Sequence, residues 1–332
     1  MPSRVAVIIL NWNGAALLRQ YLPSVVANTP EAVGHVFVAD NGSTDNSLQV
    51  LAEEFPTVTV IPFPENYGYA EGYNRAIDAL PAGYPLVLLL NSDVETPPGW
   101  LEPLVAAMDA DPTIGACQPK ILAYSDRSRF EYAGACGGYI DRNGYPYCRG
   151  RVFERVETDH GQYDTPAEVF WATGAALLTR TDLYRRLGGL DPKFFAHMEE
   201  IDLCWRILLD GRKVMAIPAS HVYHLGGGSL PASDPRKTYL NFRNNLLLLH
   251  KNLPKADLRA TLLHRRLLDT LAWVKFVATL DFANAGAVWR AHRDFRKMRR
   301  LYTAHPELTL PDWTGYTALT IQNAAGDVLF AG

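Results

Sequence analysis

Several apolar runs in this chain stop abruptly on small polar residues that can do chemistry. "YPLVLLL" gives way to Asn91, Ser92 and Asp93, "HVFVAD" closes on Asp40, and "VAVIIL" runs into Asn11, Trp12 and Asn13. Carboxylates at i and i+2 are a common grip on a divalent cation, but here the first position is the amide of Asn91, so only Asp93 carries charge. A hard cation takes oxygen ligands and often only one or two carboxylates when phosphates supply the rest. Asp93 is therefore expected to bind Mg²⁺ or Mn²⁺ together with a diphosphate, although Asn-Ser-Asp also suits a plain turn. Asp40 offers its carboxylate to a nucleobase or ribose; the alternative is a turn, with Ser43 or Thr44 capping the next helix and Asp45 favoured by its dipole.

"HMEEIDLCWRI" carries the sharpest signal. At helical spacing Glu200, Leu203, Cys204 and Ile207 share one face, while Glu199, Asp202 and Arg206 lie on the other. Asp202 and Arg206 form an i, i+4 pair. Glu200 then heads an apolar stripe, either as a base in a partly dry cleft or as a first-turn acid satisfied by backbone N–H groups. "HVYHLGGGS" sets His221 and His224 beside a glycine run; neutral imidazole can complete a metal site poor in carboxylates or be a satisfied histidine of a flexible loop, and the glycines suit close backbone approach to a ligand or a hinged lid. Arg243 in "NFRNN" has the fork to clamp phosphate, or to make a helix-surface salt bridge.

The elements that must position these residues are legible as well. "RVAVIIL", "HVFVAD", "VTVIPF" and "YPLVLLL" are short branched runs separated by stretches of helical spacing. Strands apolar on both faces and joined by helices imply an α/β fold, a mostly parallel sheet with helices on both faces. Ligands of such sheets sit beyond the carboxyl ends of the strands, where Asn11, Asp40 and Asp93 all fall. Ile114 to His160 reads as loops and hairpins over a site, "EVFWATGAALLTR" as one strand, and the chain beyond Pro235 as helical. The boundary is placed at 230/231, with a catalytic nucleotide-sugar domain over 1–230 and a helical region for packing, acceptor and membrane contact over 231–332.

With 332 residues, 48% hydrophobic content and a net charge of −3, the chain is an ordinary globular protein. The charge is uneven: Lys251–Leu301 carries about +8 and the remainder about −11. No nucleic-acid-binding module accompanies the basic stretch, so nucleic acid is not the expected partner. Trp273, Phe276, Trp289, Phe295 and Tyr302, interleaved with Lys and Arg, suit either packing on the catalytic domain or a membrane surface. Cys117, Cys136, Cys148 and Cys204 show no metal or disulfide spacing and read as reduced thiols of a cytoplasmic protein. "LLDTLAWVKFVATLDFANAGAVW" is broken by Lys275 and Asp281 and falls short of a membrane span.

Taken in order, "VIILNWNG", "VFVADNGSTDNS", "ENYGYAEGYNRAI", "LLLNSDV", "WATGAALLTR", "FFAHMEEIDLCWRI", "HVYHLGGGS" and "YLNFRNNLLLL" resemble the family-two glycosyltransferases of GT-A fold, particularly the bacterial rhamnosyltransferase-like branch. The resemblance implies inverting transfer of a sugar from a UDP- or dTDP-linked donor to a glycan or lipid-linked glycan acceptor. It implies a divalent metal, a cytoplasmic location reaching the inner face of the membrane, and a role in cell-envelope polysaccharide or glycolipid assembly. Carried over, Asn11, Asn13, Asp40, Asn66, Gly68, Asn74, Arg75, Ser92 and Arg243 line the donor site. Asp93 and His224 hold the metal, and Trp171, Thr173, Gly174 and Glu199 lie by the donor sugar and acceptor. The family's base is usually the Asp of a Glu-Asp pair; here Glu200 stands at that position. Two other classes stay open from the sequence: a sugar-phosphate nucleotidyltransferase, for which "NWNGAALL" is a poor phosphate loop, and a nucleotide-sugar-binding scaffold, which Asn91 permits.

Overall fold

The computed structural model describes residues 4–131, 134–141, 143–152, 155–226 and 234–302, and the backbone of 321–322 and 328–330. The strands are β1 (Val5–Asn11), β2 (Gly34–Asp40), β3 (Thr59–Pro62), β4 (Leu86–Leu90), β5 (Val94–Glu95), β6 (Ile114–Ala123), β7 (Gly138–Ile140), β8 (Pro146–Cys148), β9 (Arg151–Val152), β10 (Arg155–Val156), β11 (Ala167–Val169), β12 (Ala176–Arg180) and β13 (Lys213–His224). The helices are α1 (Ala15–Ala27), α2 (Ser47–Glu54), α3 (Tyr69–Asp78), α4 (Glu102–Ala110), α5 (Thr181–Arg186), α6 (Glu199–Leu209), α7 (Pro235–Asn252), α8 (Lys255–Ala278) and α9 (Phe282–Met298).

The main sheet runs β11-β13-β6-β12-β4-β1-β2-β3, with β5 paired to β13. From β4 to β3 it is parallel, and β6 is parallel to β13; β12 enters antiparallel between β4 and β6. Alternation along β1 explains both cores. Val5, Val7 and Ile9 pack with α1, α2 and α4 on one face, while Ala6 and Ile8 face α3, α6 and α7 on the other. The expected α/β architecture with a helical C-terminal region is present.

Three details differ from the sequence reading. Ile114–Ala123 is a ten-residue central strand, not loop; its buried Gln118 and Lys120 disguise it. "EVFWATGAALLTR" is two strands, because Phe170–Ala175 leaves β11 and crosses toward β12. The face of α6 opposite the apolar stripe is buried as well: the i, i+4 pair of Asp202 and Arg206, at 2.7 Å, is part of a buried network in which Lys251 reaches Asp202 and Asp191 at 2.8 Å, and Asn252 donates to Asp202. That network fastens α6 to α7. Elsewhere the guanidinium of Arg265 lies 3.5 Å over the Tyr145 ring and Asn245 donates to the Gly144 carbonyl, docking the C-terminal helices on the β7–β8 hairpin. The boundary expected at 230/231 and most of the glycine run after His224 lie outside the described residues.

Candidate active site

The carboxyl ends of β1, β2 and β4 meet in one crevice. Asn11 and Asp40 are register partners, and Asn11 Nδ2 donates to Asp40 Oδ1 at 2.9 Å and to Ser43 Oγ at 3.2 Å. Asp40 Oδ2 accepts from the Ser43 amide, and Asn13 Oδ1 accepts from the amides of Thr44 and Asp45. Asn11, Asn13 and Asp40 therefore shape one turn. Neither Ser43 nor Thr44 caps α2. The N-cap residue is Asn46, which makes no side-chain cap bond; Asp45 instead accepts from Ala15 N, the first residue of α1, and from Ser47 N, the first of α2, and although burial pushes its carboxyl up these bonds hold it below the usual range.

Asn41, which no sequence signal singled out, ties this turn to the next loop. Its Nδ2 donates to Asn66 Oδ1 and to the Gly68 carbonyl, and its Oδ1 accepts from Tyr67 N. Gly42 is required there: its φ is +71°, and a Cβ would stand 2.6 Å from the Glu65 backbone. Arg75 is exposed, paired with Glu71 at 2.8 Å and stacked 3.8 Å over Tyr67.

At the end of β4, Asp93 is buried and Asn91 and Ser92 are half-buried. His224 Nε2, at the end of β13, lies 3.1 Å from Asp93 Oδ1 and 3.4 Å from Asn91 Nδ2. The other ring nitrogen, Nδ1, lies 3.3 Å from Glu131 Oε2. Burial pushes the imidazole pKa down, but the two carboxylates overcome it and hold it at about 10. Burial opposes ionisation of Asp93 too, and the same His224 contact keeps its pKa below the usual value. Among the described residues no group of three or more His, Cys, Asp or Glu side chains is arranged to hold a metal. The donor set nevertheless fits a cation that brings other ligands with it. Asp93 and His224 present one oxygen and one nitrogen side by side, with a carboxylate behind the imidazole to fix its tautomer. His221, three residues earlier, projects to the opposite face of β13, where it bonds Tyr223 and lines a cavity with Lys120, Asp159 and Asp164.

Glu200 opens α6 on the far wall. It is half-buried, Glu199 beside it is buried, and an Oε2 atom on each has no hydrogen-bond partner. Burial pushes Glu200 up to about 7, and burial and then the charge of Glu200 push Glu199 up too. Gly174 gives this wall its closeness. A Cβ there would stand 2.8 Å from Tyr69 Oη and 3.8 Å from Glu200 Cβ. Tyr69 Oη donates to the Gly174 carbonyl at 3.0 Å and lies 3.3 Å from Asn91 Oδ1, spanning from the Asp93 strand end to the Glu200 wall. No sequence signal beyond its position in "ENYGYAEGYNRAI" marked Tyr69.

The loop into α6 is held open against its own preference. Phe195, His197 and Met198 have φ of 68°, 68° and 75°, a region costly for residues with a Cβ. Asn244 of α7 holds it there: Nδ2 contacts the carbonyls of Phe194, Ala196 and His197 at 2.9, 2.8 and 2.7 Å. Arg243 serves the same loop, with Nη2 on the Phe194 carbonyl and Nε on Asn244 Oδ1. Its guanidinium is thus engaged by the Phe194 carbonyl, the Asn244 side chain and Tyr239 Oη, and is not presented as a phosphate clamp. Asn74 is likewise engaged away from the crevice, with Nδ2 on the Leu190 carbonyl and Oδ1 accepting from Tyr184 Oη and Leu190 N. Trp171 is buried under Gly138, its indole N–H on the Tyr139 carbonyl, and Thr173 N donates to Gln118. These two frame Gly174 from beneath.

"Glycosyl transferase family 2" matches residues 6–184. The chain is 28% identical over 288 residues, 79% of its length and 90% of the relative's, to an N-acetylglucosaminyl-diphospho-decaprenol L-rhamnosyltransferase of Mycobacterium tuberculosis. It is 26% identical over 66% of its length to a pre-mycofactocin glycosyltransferase of the same species, spanning 42% of that protein. Among solved structures, GalNAc-T7 with UDP, GalNAc and Mn²⁺ superposes with a TM-score of 0.59 at 18% identity, over 76% of this chain and about half (49%) of that one. The mannosyltransferase PcManGT of Pyrobaculum calidifontis, in complex with GDP-Man and Mn²⁺, superposes with a TM-score of 0.52 at 17% identity, over 97% of this chain and 87% of that one. The fold is therefore the one these transferases share.

Proposed function

The chain belongs to glycosyl transferase family 2, and on that premise we propose an inverting transfer of a sugar from a nucleoside-diphosphate donor to an acceptor hydroxyl, with Glu200 as general base. The observation that carries the reading is Glu200 itself: a carboxylate with a buried, unpartnered oxygen and a pKa lifted to about 7, across a crevice from Asp40 and Asp93. A base poised near the working pH is where proton abstraction is most efficient, supplying about 10²–10⁴-fold. The acceptor O–H gives its proton to Glu200 as its oxygen bonds the anomeric carbon, and the bond to the diphosphate breaks on the opposite face. Burial, and then the charge of Glu200, raise the neighbouring Glu199 carboxyl as well.

The turn built by Asn11, Asn13 and Asp40 and the loop of Asn66 and Gly68 receive the nucleoside, with Arg75 at their rim. Uridine or deoxythymidine diphosphate fits this reading. Asp93 and His224 would hold a divalent cation, Mg²⁺ or Mn²⁺, which when bound neutralises the departing diphosphate. Glu131 orients His224 for that task, and Ser92 lies between the cation and nucleoside sides. Gly174 and Thr173 leave room for the sugar against Tyr69. The match to a transferase named for a decaprenol-linked acceptor supports a lipid-linked glycan acceptor, L-rhamnosyl or hexosyl transfer, and a place in cell-envelope polysaccharide assembly at the cytoplasmic face of the membrane.

The test is nucleotide release from UDP- and dTDP-sugars with Mn²⁺ or Mg²⁺, with the product's anomeric configuration read by NMR. Metal-dependent release with inverted configuration is expected. Retention, or binding without turnover across donors and acceptors, overturns the reading. Thermal shift identifies the donor first, because a ligand that binds only the native state stabilises it.

A further inference from the structure

Helix α8 packs through one face and leaves the other bare. Leu258, Thr261, Arg265 and Asp269 are buried beneath it, while Leu263, Leu267, Leu271 and Val274 stand 69%, 62%, 59% and 49% exposed. Those four positions, i, i+4, i+8 and i+11, form one stripe along the helix. Beyond α8 the turn residue Leu280 is 74% exposed and Phe282, the first residue of α9, 64% exposed. Large apolar side chains so aligned on a surface mark something that covers them.

The rim of the stripe is cationic. Arg259 and Arg266 flank it on one side, a helical turn from Leu263, and Lys275 lies on the other. Arg259, Arg266, Arg299 and His292 surround a cavity of about 270 Å³ whose floor includes Leu262 and Phe295. The stretch Lys251–Leu301 holds about +8 in a chain whose remainder carries about −11. A second copy of the chain across a two-fold axis would set this arginine rim against itself. No described helix is long and apolar enough to cross a membrane.

We propose that the α8–α9 hairpin is a monotopic anchor for an anionic lipid bilayer. The leucine stripe and the Leu280–Phe282 tip sink into the acyl boundary, and the arginine cavity seats a lipid phosphate. Apolar burial and attraction to anionic headgroups act together in such helices, and neither requires a span. Binding does not depend on the catalytic reading, since none of these residues lines the crevice.

Co-sedimentation of the full chain with vesicles tests this, using phosphatidylcholine alone and phosphatidylcholine with phosphatidylglycerol. Binding to the anionic vesicles is expected, weakened by salt and weaker still on the neutral ones. Leu267→Glu/Leu271→Glu, with helical circular dichroism unchanged, should reduce it by at least about tenfold. Arg259→Gln/Arg266→Gln should remove the preference for anionic lipid. Leu48→Glu, at an exposed site on α2, should bind as the parent does. Absence of vesicle binding overturns the proposal. So does a parent dimer, measured by light scattering, that the double leucine variant turns into monomer, because the stripe would then be a self-association face.

Discussion

His224 Nε2 lies 3.1 Å from Asp93 Oδ1, joining residues 131 apart in sequence at the ends of β13 and β4. On the proposed function, the pair would give a cation two protein ligands at a strand end with one carboxylate. Asn91, the amide that made this strand end look deficient, faces the same nitrogen and Tyr69, so it belongs to the wall rather than to the ligand set.

Replacement of Asp93 by Ala should therefore abolish metal-dependent turnover, whereas Asn91→Ala should lower it by less than about tenfold, the loss of one net hydrogen bond. Metal affinity should also depend on pH. His224 is held protonated up to about pH 10 in the metal-free protein, so binding must displace that proton. Affinity for Mn²⁺, measured by calorimetry, should then rise up to about tenfold per pH unit between pH 7 and 9. A flat profile in that range contradicts the assignment of His224 as ligand.

Glu200→Gln should retain donor binding and lose about 10²–10⁴-fold in kcat. The parent's kcat should climb as pH rises through about 7, where Glu200 loses its proton. Stability runs the other way. The folded pKa lies above the ordinary value of 4.5, so the folded state holds the proton more tightly. The contribution is full below pH 4.5 and declines as pH rises to about 7. Denaturant titrations of Glu200→Gln should lack that decline; an unchanged pH–stability slope would show that Glu200 is not the titrating group.

Asn244 tests whether the strained loop matters for turnover. Asn244→Ala removes a donor shared by three carbonyls and should destabilise the protein by about 1–3 kcal/mol. Asn244→Asp should be worse than Ala despite its shape, because a carboxylate can only repel the carbonyls of Phe194, Ala196 and His197. Both variants should lower kcat more than they raise the donor KM, since the loop leads into Glu199 and Glu200. Equal effects of Ala and Asp on melting temperature and kcat would show that the three contacts are incidental.

Gly174→Ala should impair turnover by pressing a methyl group against Tyr69 Oη, 2.8 Å from the new Cβ. Tyr69→Phe removes that oxygen, so the double variant should recover part of the activity lost in Gly174→Ala alone. Simple additivity of the two losses would place the damage elsewhere.

Much of this protein is determined by the sequence alone. Period-two burial of Val5–Ile9, polar strand ends at Asn11, Asp40 and Asp93, and an acid heading the stripe of α6 are local properties, set by side-chain spacing against fixed backbone geometry. They suffice for the α/β fold, the crevice and the candidate base. Tertiary structure decided which polar groups are free to act. Arg243 and Asn74 have the chemistry of ligand-binding residues, yet Arg243 is held by the Phe194 carbonyl and the Asn244 side chain, and Asn74 donates to the Leu190 carbonyl. Glu131 and Tyr69 gave no local signal and stand against His224 and Gly174 only because distant strands and loops close on one another. A hydrogen-bonding group has the same formula wherever it lies; its partners are fixed by long-range packing, and those partners set its role.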